Sequence, residues 1–173
     1  MRKFITTALV VIVFGSIAYT LAYGFLDKYI FMEMAPKQPI NFSHKIHAGD
    51  NEIPCQQCHI YARRSRVSGV PSVQRCMGCH KTVRIDSPEI KKLHSYWNSE
   101  KPIPWIKVHD VPDYVYFTHK RHIKRGLRCQ ECHGAVETMD IVERQFPIAM
   151  SWCLNCHKSK NPPGPADCWE CHI

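Results

Sequence analysis

Phe117-Thr118-His119-Lys120-Arg121-His122, followed closely by Cys129-Gln130-Glu131-Cys132-His133, is the stretch from which the rest of this chain can be read. The Cys-x-x-Cys-His unit occurs five times, as Cys55–His59, Cys76–His80, Cys129–His133, Cys153–His157 and Cys168–His172. Those five copies use Cys55, Cys58, Cys76, Cys79, Cys129, Cys132, Cys153, Cys156, Cys168 and Cys171, which are all ten cysteines. Such units point to covalently attached c-type haem. The two-residue gap bends the chain through one turn, so both sulfurs meet one porphyrin edge as thioethers. The next residue, His59, His80, His133, His157 or His172, then lies under the iron as its proximal ligand. Zinc knuckles normally come in pairs, and five is odd. Disulfides would leave the five histidines without a reason. The expected cofactor is therefore five covalently bound haem c groups.

The opening stretch has an earlier counterpart. Phe42-Ser43-His44-Lys45-Ile46-His47 precedes Cys55-Gln56-Gln57-Cys58-His59, and each half ends in a second motif followed by lysine, at His80-Lys81 and His157-Lys158. The chain thus divides into dihaem modules near 42–81 and 117–158 with a fifth haem at 167–173. Six histidines lie outside the motifs: His44, His47, His94, His109, His119 and His122. At helical spacing, the two rings of a His-x-x-His pair point about 60° apart. Each pair can then serve two haems on either side of one turn. His44, His47, His119 and His122 are the expected sixth ligands, with His109 as the fifth. His94 and Met150 are competing candidates. Irons closed on both axial sides carry electrons and offer no coordination position to a substrate, which argues against an oxyanion reductase.

Residues Phe4 to Leu26 form an uncharged, mostly apolar run of 23 behind Met1-Arg2-Lys3. A bilayer-spanning helix needs about 20 such residues. A secretory signal has a shorter apolar core and a small-x-small cleavage site, for which Thr20-Leu21-Ala22 is poor. The expectation is an uncleaved, single-pass anchor over residues 1–32, with Arg2 and Lys3 cytoplasmic and the haem domain on the periplasmic face of the inner membrane. Ser16, Thr20 and Gly24, four residues apart, are a weak hint of helix partners in the lipid. Residues 33–41, with Pro36 and Pro39, read as an extended linker, and 42–173 as the pentahaem domain. Asn161-Pro162-Pro163-Gly164-Pro165 reads as a stiff spacer before the last haem. Between the modules, Ser87-Pro88-Glu89 starts a helix to about Asn98, with Ile90, Leu93 and Trp97 on one face. Tyr114–Phe117 reads as a short strand or extended run.

The formal charge is +8. Ionised propionates make each ferric bis-histidine haem roughly −1, which brings the total to about +3. The basic excess is better read as propionate compensation by residues such as Arg63, Arg66, Arg121 and Arg125 than as a nucleic-acid footprint. With about 147 residues after Leu26 for five haems, the porphyrins themselves must form much of the interior. The fold class expected is a multihaem cytochrome c, with short helices around stacked haems, little other regular structure, and one N-terminal transmembrane helix.

Several stretches carry a resemblance. Phe42–Gly49, Gly69-Val70-Pro71 to His80, Pro102-Ile103-Pro104-Trp105 to Phe117, Met150-Ser151-Trp152 to His157, and Asp167-Cys168-Trp169-Glu170-Cys171-His172 resemble the pentahaem subunit of alternative complex III. The modules also resemble smaller class III cytochromes with a Phe-x-His-x-x-His signature. The resemblance implies a respiratory or photosynthetic quinol-oxidising membrane complex. Its partners would be an iron–sulfur subunit, quinol-binding membrane subunits and a monohaem cytochrome c. A related quinone reductase complex uses a similar subunit, generally with six haems. A stand-alone, membrane-anchored quinol dehydrogenase is a third arrangement.

Overall fold

The computed structural model describes residues 2–29, 35–161 and 163–172. The chain forms two compact units, Met1–Met34 and Ala35–Ile173.

The first unit is helix α1, Arg2–Tyr29. Its side chains are described at residue 6 and at residues 9–22, all of them exposed. Among the described residues no helix is long and apolar enough to cross a membrane. Within the expected apolar run Phe4–Leu26, the side chains described are those of residue 6 and residues 9–22. Ser16 and Thr20 donate their hydroxyls back to the carbonyls of Val13 and Ile17, at 2.8 and 2.9 Å, so neither polar group is left unpaired.

The second unit is built from short helices: α2 Cys55–Cys58, α3 Val73–His80, α4 Pro88–Asn98, α5 His119–Lys124, α6 Gln130–His133, α7 Met150–Ser159 and α8 Cys168–Cys171. A π-turn at Lys45–Asp50 and a 3₁₀ turn at Val136–Thr138 pack on one another. Among the described residues there is no strand. Tyr114–Phe117, the expected extended run, makes a single antiparallel bridge, Val115 with His172.

Side-chain packing is concentrated in one place. Ile40, Met77, Leu93 and Ile103 are buried together, with Val73, Cys76, Ile90, Tyr96 and Trp105 packed around them. This cluster joins α3 to α4. Helix α4 begins where the sequence indicates, with Pro88 in its first turn and Ser87 extended before it. The Ser87 hydroxyl caps nothing; its carbonyl accepts the Lys91 N–H at 2.9 Å. Leu93 is the buried centre of the helix face, but Trp97 turns outward under the Lys81 ammonium, and Tyr96 takes its place in the cluster.

The residues expected as a linker are described over 35–41; Glu33 and Met34 lie outside the described residues. Pro36 and Ile40 are buried. Gln38 pairs with Ile106 by two hydrogen bonds of 2.9 Å, its amide donating to the carbonyl and its oxygen accepting the N–H. The Asn41 N–H donates to Glu89 at 2.8 Å. An apolar residue every four positions and one amide with both hydrogen-bonding functions used make this a docked segment of the second unit.

Candidate functional site

All five Cys-x-x-Cys pairs lie on a single helical turn, in α2, α3, at the start of α6, in α7 and in α8. The ten cysteines are free thiols, and here they stand in for the thioether sulfurs of attached haem. Burial pushes Cys58, Cys76, Cys129, Cys132 and Cys153 up from the ordinary thiol range.

The repeat seen in the sequence recurs in three dimensions. Phe42 meets His44 edge-on, at 4.8 Å and 86°, and stacks on His47, at 4.3 Å and 26°. Phe117 meets His119 edge-on, at 4.9 Å and 86°, and lies against His122, at 4.6 Å and 32°. One phenyl ring in each module therefore fixes two imidazoles in different planes. The first pair sits on the π-turn and its N-cap, the second on α5.

These histidines face motif histidines across a gap of regular width. Ring centroids are 6.1 Å apart for His47 and His80, 6.3 Å for His119 and His133, and 6.0 Å for His122 and His157. With metal–nitrogen bonds of about 2 Å on each side and the half-widths of two rings, an iron between axial imidazoles requires roughly 6 Å. His44 and His59 are also neighbours: burial first, then the nearby His59 and His47, lowers His44 to about 4.

The hydrogen bonds select the ligating nitrogen. The Nδ1 atoms of His47, His59, His80, His119 and His122 lie 2.8, 2.6, 3.0, 2.8 and 2.8 Å from the carbonyls of Ser43, Gly69, Val83, Arg66 and Thr118. His157 Nδ1 is paired with the Pro165 carbonyl. A carbonyl only accepts, so Nδ1 holds the proton and Nε2 keeps its lone pair. Burial lowers His109, His122 and His133, the last to about 4 with His109, His119 and His59 beside it. Neutral imidazole is the metal-binding form. The donor set, tautomers and separations all fit haem iron with two axial histidines. Haem c, when bound, supplies a one-electron ferric/ferrous couple.

Other expected ligands fall differently. His94 uses Nε2 to donate to the His80 carbonyl at 2.8 Å, so it braces the second motif and has no free nitrogen on that side. Met150 is exposed at the start of α7. His109 lies edge-on to His133, at 4.4 Å and 77°, with its Nε2 buried and without a hydrogen-bond partner. The ring stacked on His172 is Tyr114, at 5.8 Å and 22°. Arg66 is occupied, its guanidinium 3.9 Å from the centre of the Tyr116 ring.

Two glycines shape the site, and sequence reasoning passed over both. Gly69, whose carbonyl holds His59, has φ +76°, and a Cβ there would stand 2.9 Å from Tyr61. The expected result for Gly69→Ala is a loss of roughly 1–2 kcal/mol from the left-handed backbone and the crowded ring. Thermal unfolding followed by circular dichroism measures it; an unchanged midpoint would contradict the strain argument. Gly164 donates its N–H to the His157 carbonyl at 2.8 Å, and a Cβ would stand 2.8 Å from that imidazole. The described part of the expected spacer therefore folds back as a brace on the fourth motif; Pro162 lies outside the described residues.

Known proteins show the same design. The class III cytochrome c family matches residues 28–104, and the family described as cytochrome c7 and related cytochrome c matches residues 115–173. The menaquinone reductase multihaem cytochrome c subunit of Nitratidesulfovibrio vulgaris (strain Hildenborough) is 29% identical over 161 residues, covering 79% of this chain and 77% of that protein. In motif and in helical fold alike, both segments of the chain are similar to multihaem cytochromes c of the class III kind, electron-transfer proteins whose haem c is held covalently.

Proposed function

We propose that this chain is the pentahaem electron-relay subunit of a membrane-bound quinone/quinol oxidoreductase. The observation that carries the relay is the set of histidine pairs at iron-spanning separation, His47 with His80, His119 with His133 and His122 with His157. By the repeat, His44 pairs with His59. In this reading the chain's residues do three things. Cysteines would hold each porphyrin edge, paired imidazoles would close the iron to added ligands, and carbonyl-bound Nδ1 atoms keep the rings of His47, His59, His80, His119, His122 and His157 turned with Nε2 free. His109 is retained as the proposed fifth distal ligand on the strength of its unpartnered Nε2.

Two observations bear on the complex. The motif segments resemble the alternative complex III subunit, and there are five motifs; this favours quinol oxidation. The relative named as a menaquinone reductase subunit favours the opposite direction. Our reading is the quinol-oxidising complex, with iron–sulfur, quinol-binding and monohaem cytochrome subunits as partners. Purification from native membranes in mild detergent tests it. A quinol analogue should reduce the haems of the co-purifying complex. Recovery of a lone cytochrome, or reduction only by a low-potential donor with electrons passing on to quinone, would reject it.

We also read α1 as the anchor. A helix of 28 residues is about 42 Å long, more than the hydrocarbon core of about 30 Å. Leu9, Val10, Val11, Ile12, Val13, Phe14 and Leu21 are all exposed along it. The full chain should stay with the membrane through a carbonate wash, and a chain lacking residues 1–32 should be released. Release of both would remove the anchor.

A further inference from the structure

The sites are numbered by sequence, but their contacts follow another order. The second and first meet where Arg75 in α3 donates to the Gln57 carbonyl in α2 at 3.0 Å, with the Cys58 thiol in electrostatic reach of Cys76 and Cys79. The first and third meet across the module boundary. The Cys55 and Cys129 thiols are neighbours, His119 and Lys120 donate their N–H groups to the carbonyls of Arg66 and Ser65 at 3.0 and 3.1 Å, and Lys45 donates to the Met139 carbonyl at 2.9 Å. The third and fourth are joined by the Glu131–Lys160 ion pair at 2.9 Å, with Cys132 close to Cys153 and Cys156. The fourth and fifth approach through Cys153 and Cys171, and the N–H of Tyr116, which neighbours the Phe117 ring lying against His122, donates to the Cys171 carbonyl at 2.6 Å.

Each thiol marks a porphyrin edge, because the thioether sulfur is bonded to it. Neighbouring thiols from two motifs therefore bring two porphyrin edges together. We infer that the five haem sites form one row in the order second, first, third, fourth, fifth, so that the second and fifth motifs are its ends and the Cys55–Cys129 contact is the junction between modules. The inference rests on the pentahaem reading above and adds to it which sites face redox partners.

The two ends differ in chemistry. Beside the second motif lies an open cleft of about 770 Å³ lined by Lys81, Lys91, His94, Ser95 and Asn98. The fifth motif contains Trp169, 88% exposed, between acidic Asp167 and Glu170. The first, third and fourth motifs each have a motif on both sides.

The test is the iron arrangement in the haem-loaded full chain, purified in detergent and located by anomalous scattering or electron cryomicroscopy. The second and fifth irons should each have one close iron neighbour, the first and fourth irons respectively, and the third should lie between the first and fourth. Five close irons with the second beside the third or fourth, or the fifth beside any iron but the fourth, would overturn the row and leave the relay standing. Fewer than five irons, or irons far apart, would overturn the row and the pentahaem reading together.

Discussion

Replacing His122 with alanine should convert about one haem in five from low-spin to high-spin ferric iron while leaving all the porphyrins attached. The fourth motif keeps its own anchors, Cys153, Cys156 and His157, when His122 is removed. The ring lost is the one held 6.0 Å from His157, with Nδ1 tied to the Thr118 carbonyl and one face against Phe117. No other imidazole is placed on that side by the repeat. Electron paramagnetic resonance of the oxidised protein reads the new high-spin signal, and carbon monoxide should bind the same fraction after reduction. His94→Ala is the control, because its Nε2 is spent on the His80 carbonyl. It should add no high-spin signal. If His122→Ala leaves the spectrum of the parent, or if His94→Ala produces the larger change, the axial pairing argued from ring separation is wrong.

Leu93→Ala should cost about 2–5 kcal/mol, the range for a buried leucine whose surroundings relax only partly. Leu93 is 4% exposed at the centre of the cluster with Ile40, Met77 and Ile103. Six residues are buried among the described ones, Pro36, Ile40, Ala62, Met77, Leu93 and Ile103, and four of the six form this one cluster. A typical domain has only about 5–15 kcal/mol to lose. The same cluster holds α3, which carries Cys76, Cys79 and His80, so the damage should concentrate at the second haem site. Denaturant unfolding followed by circular dichroism gives the cost, and absorbance gives the loss of low-spin character. Trp97→Ala, on the outward side of α4, should shift the midpoint far less. A Leu93→Ala protein as stable as the parent would mean that the cluster contributes little beside the porphyrins.

Much of this was written in local patterns. Cys-x-x-Cys-His is a property of five consecutive residues, so the attachment points are legible wherever the motif stands. The His-x-x-His pairs were legible because they recur before equivalent motifs, and the structure gives both the same phenylalanine pivot. Pro88 and Glu89 set the start of α4 by backbone rules that act within one turn. Side-chain facing was less secure: Trp97 shares a helical stripe with Leu93, yet Tyr96 is the residue that packs, because Ile40 and Ile103 approach α4 from a direction no local pattern encodes.

The sequence by itself determined where haem c could attach and which histidines could complete each site, because thioether attachment and helical spacing are short-range matters. Only the tertiary structure decided which rings face each other, that Gln38 docks on Ile106, and that Cys55 lies beside Cys129. Those contacts join residues tens of positions apart. They are settled by how segments with few apolar side chains close around their sites, and such closure depends on the whole chain at once.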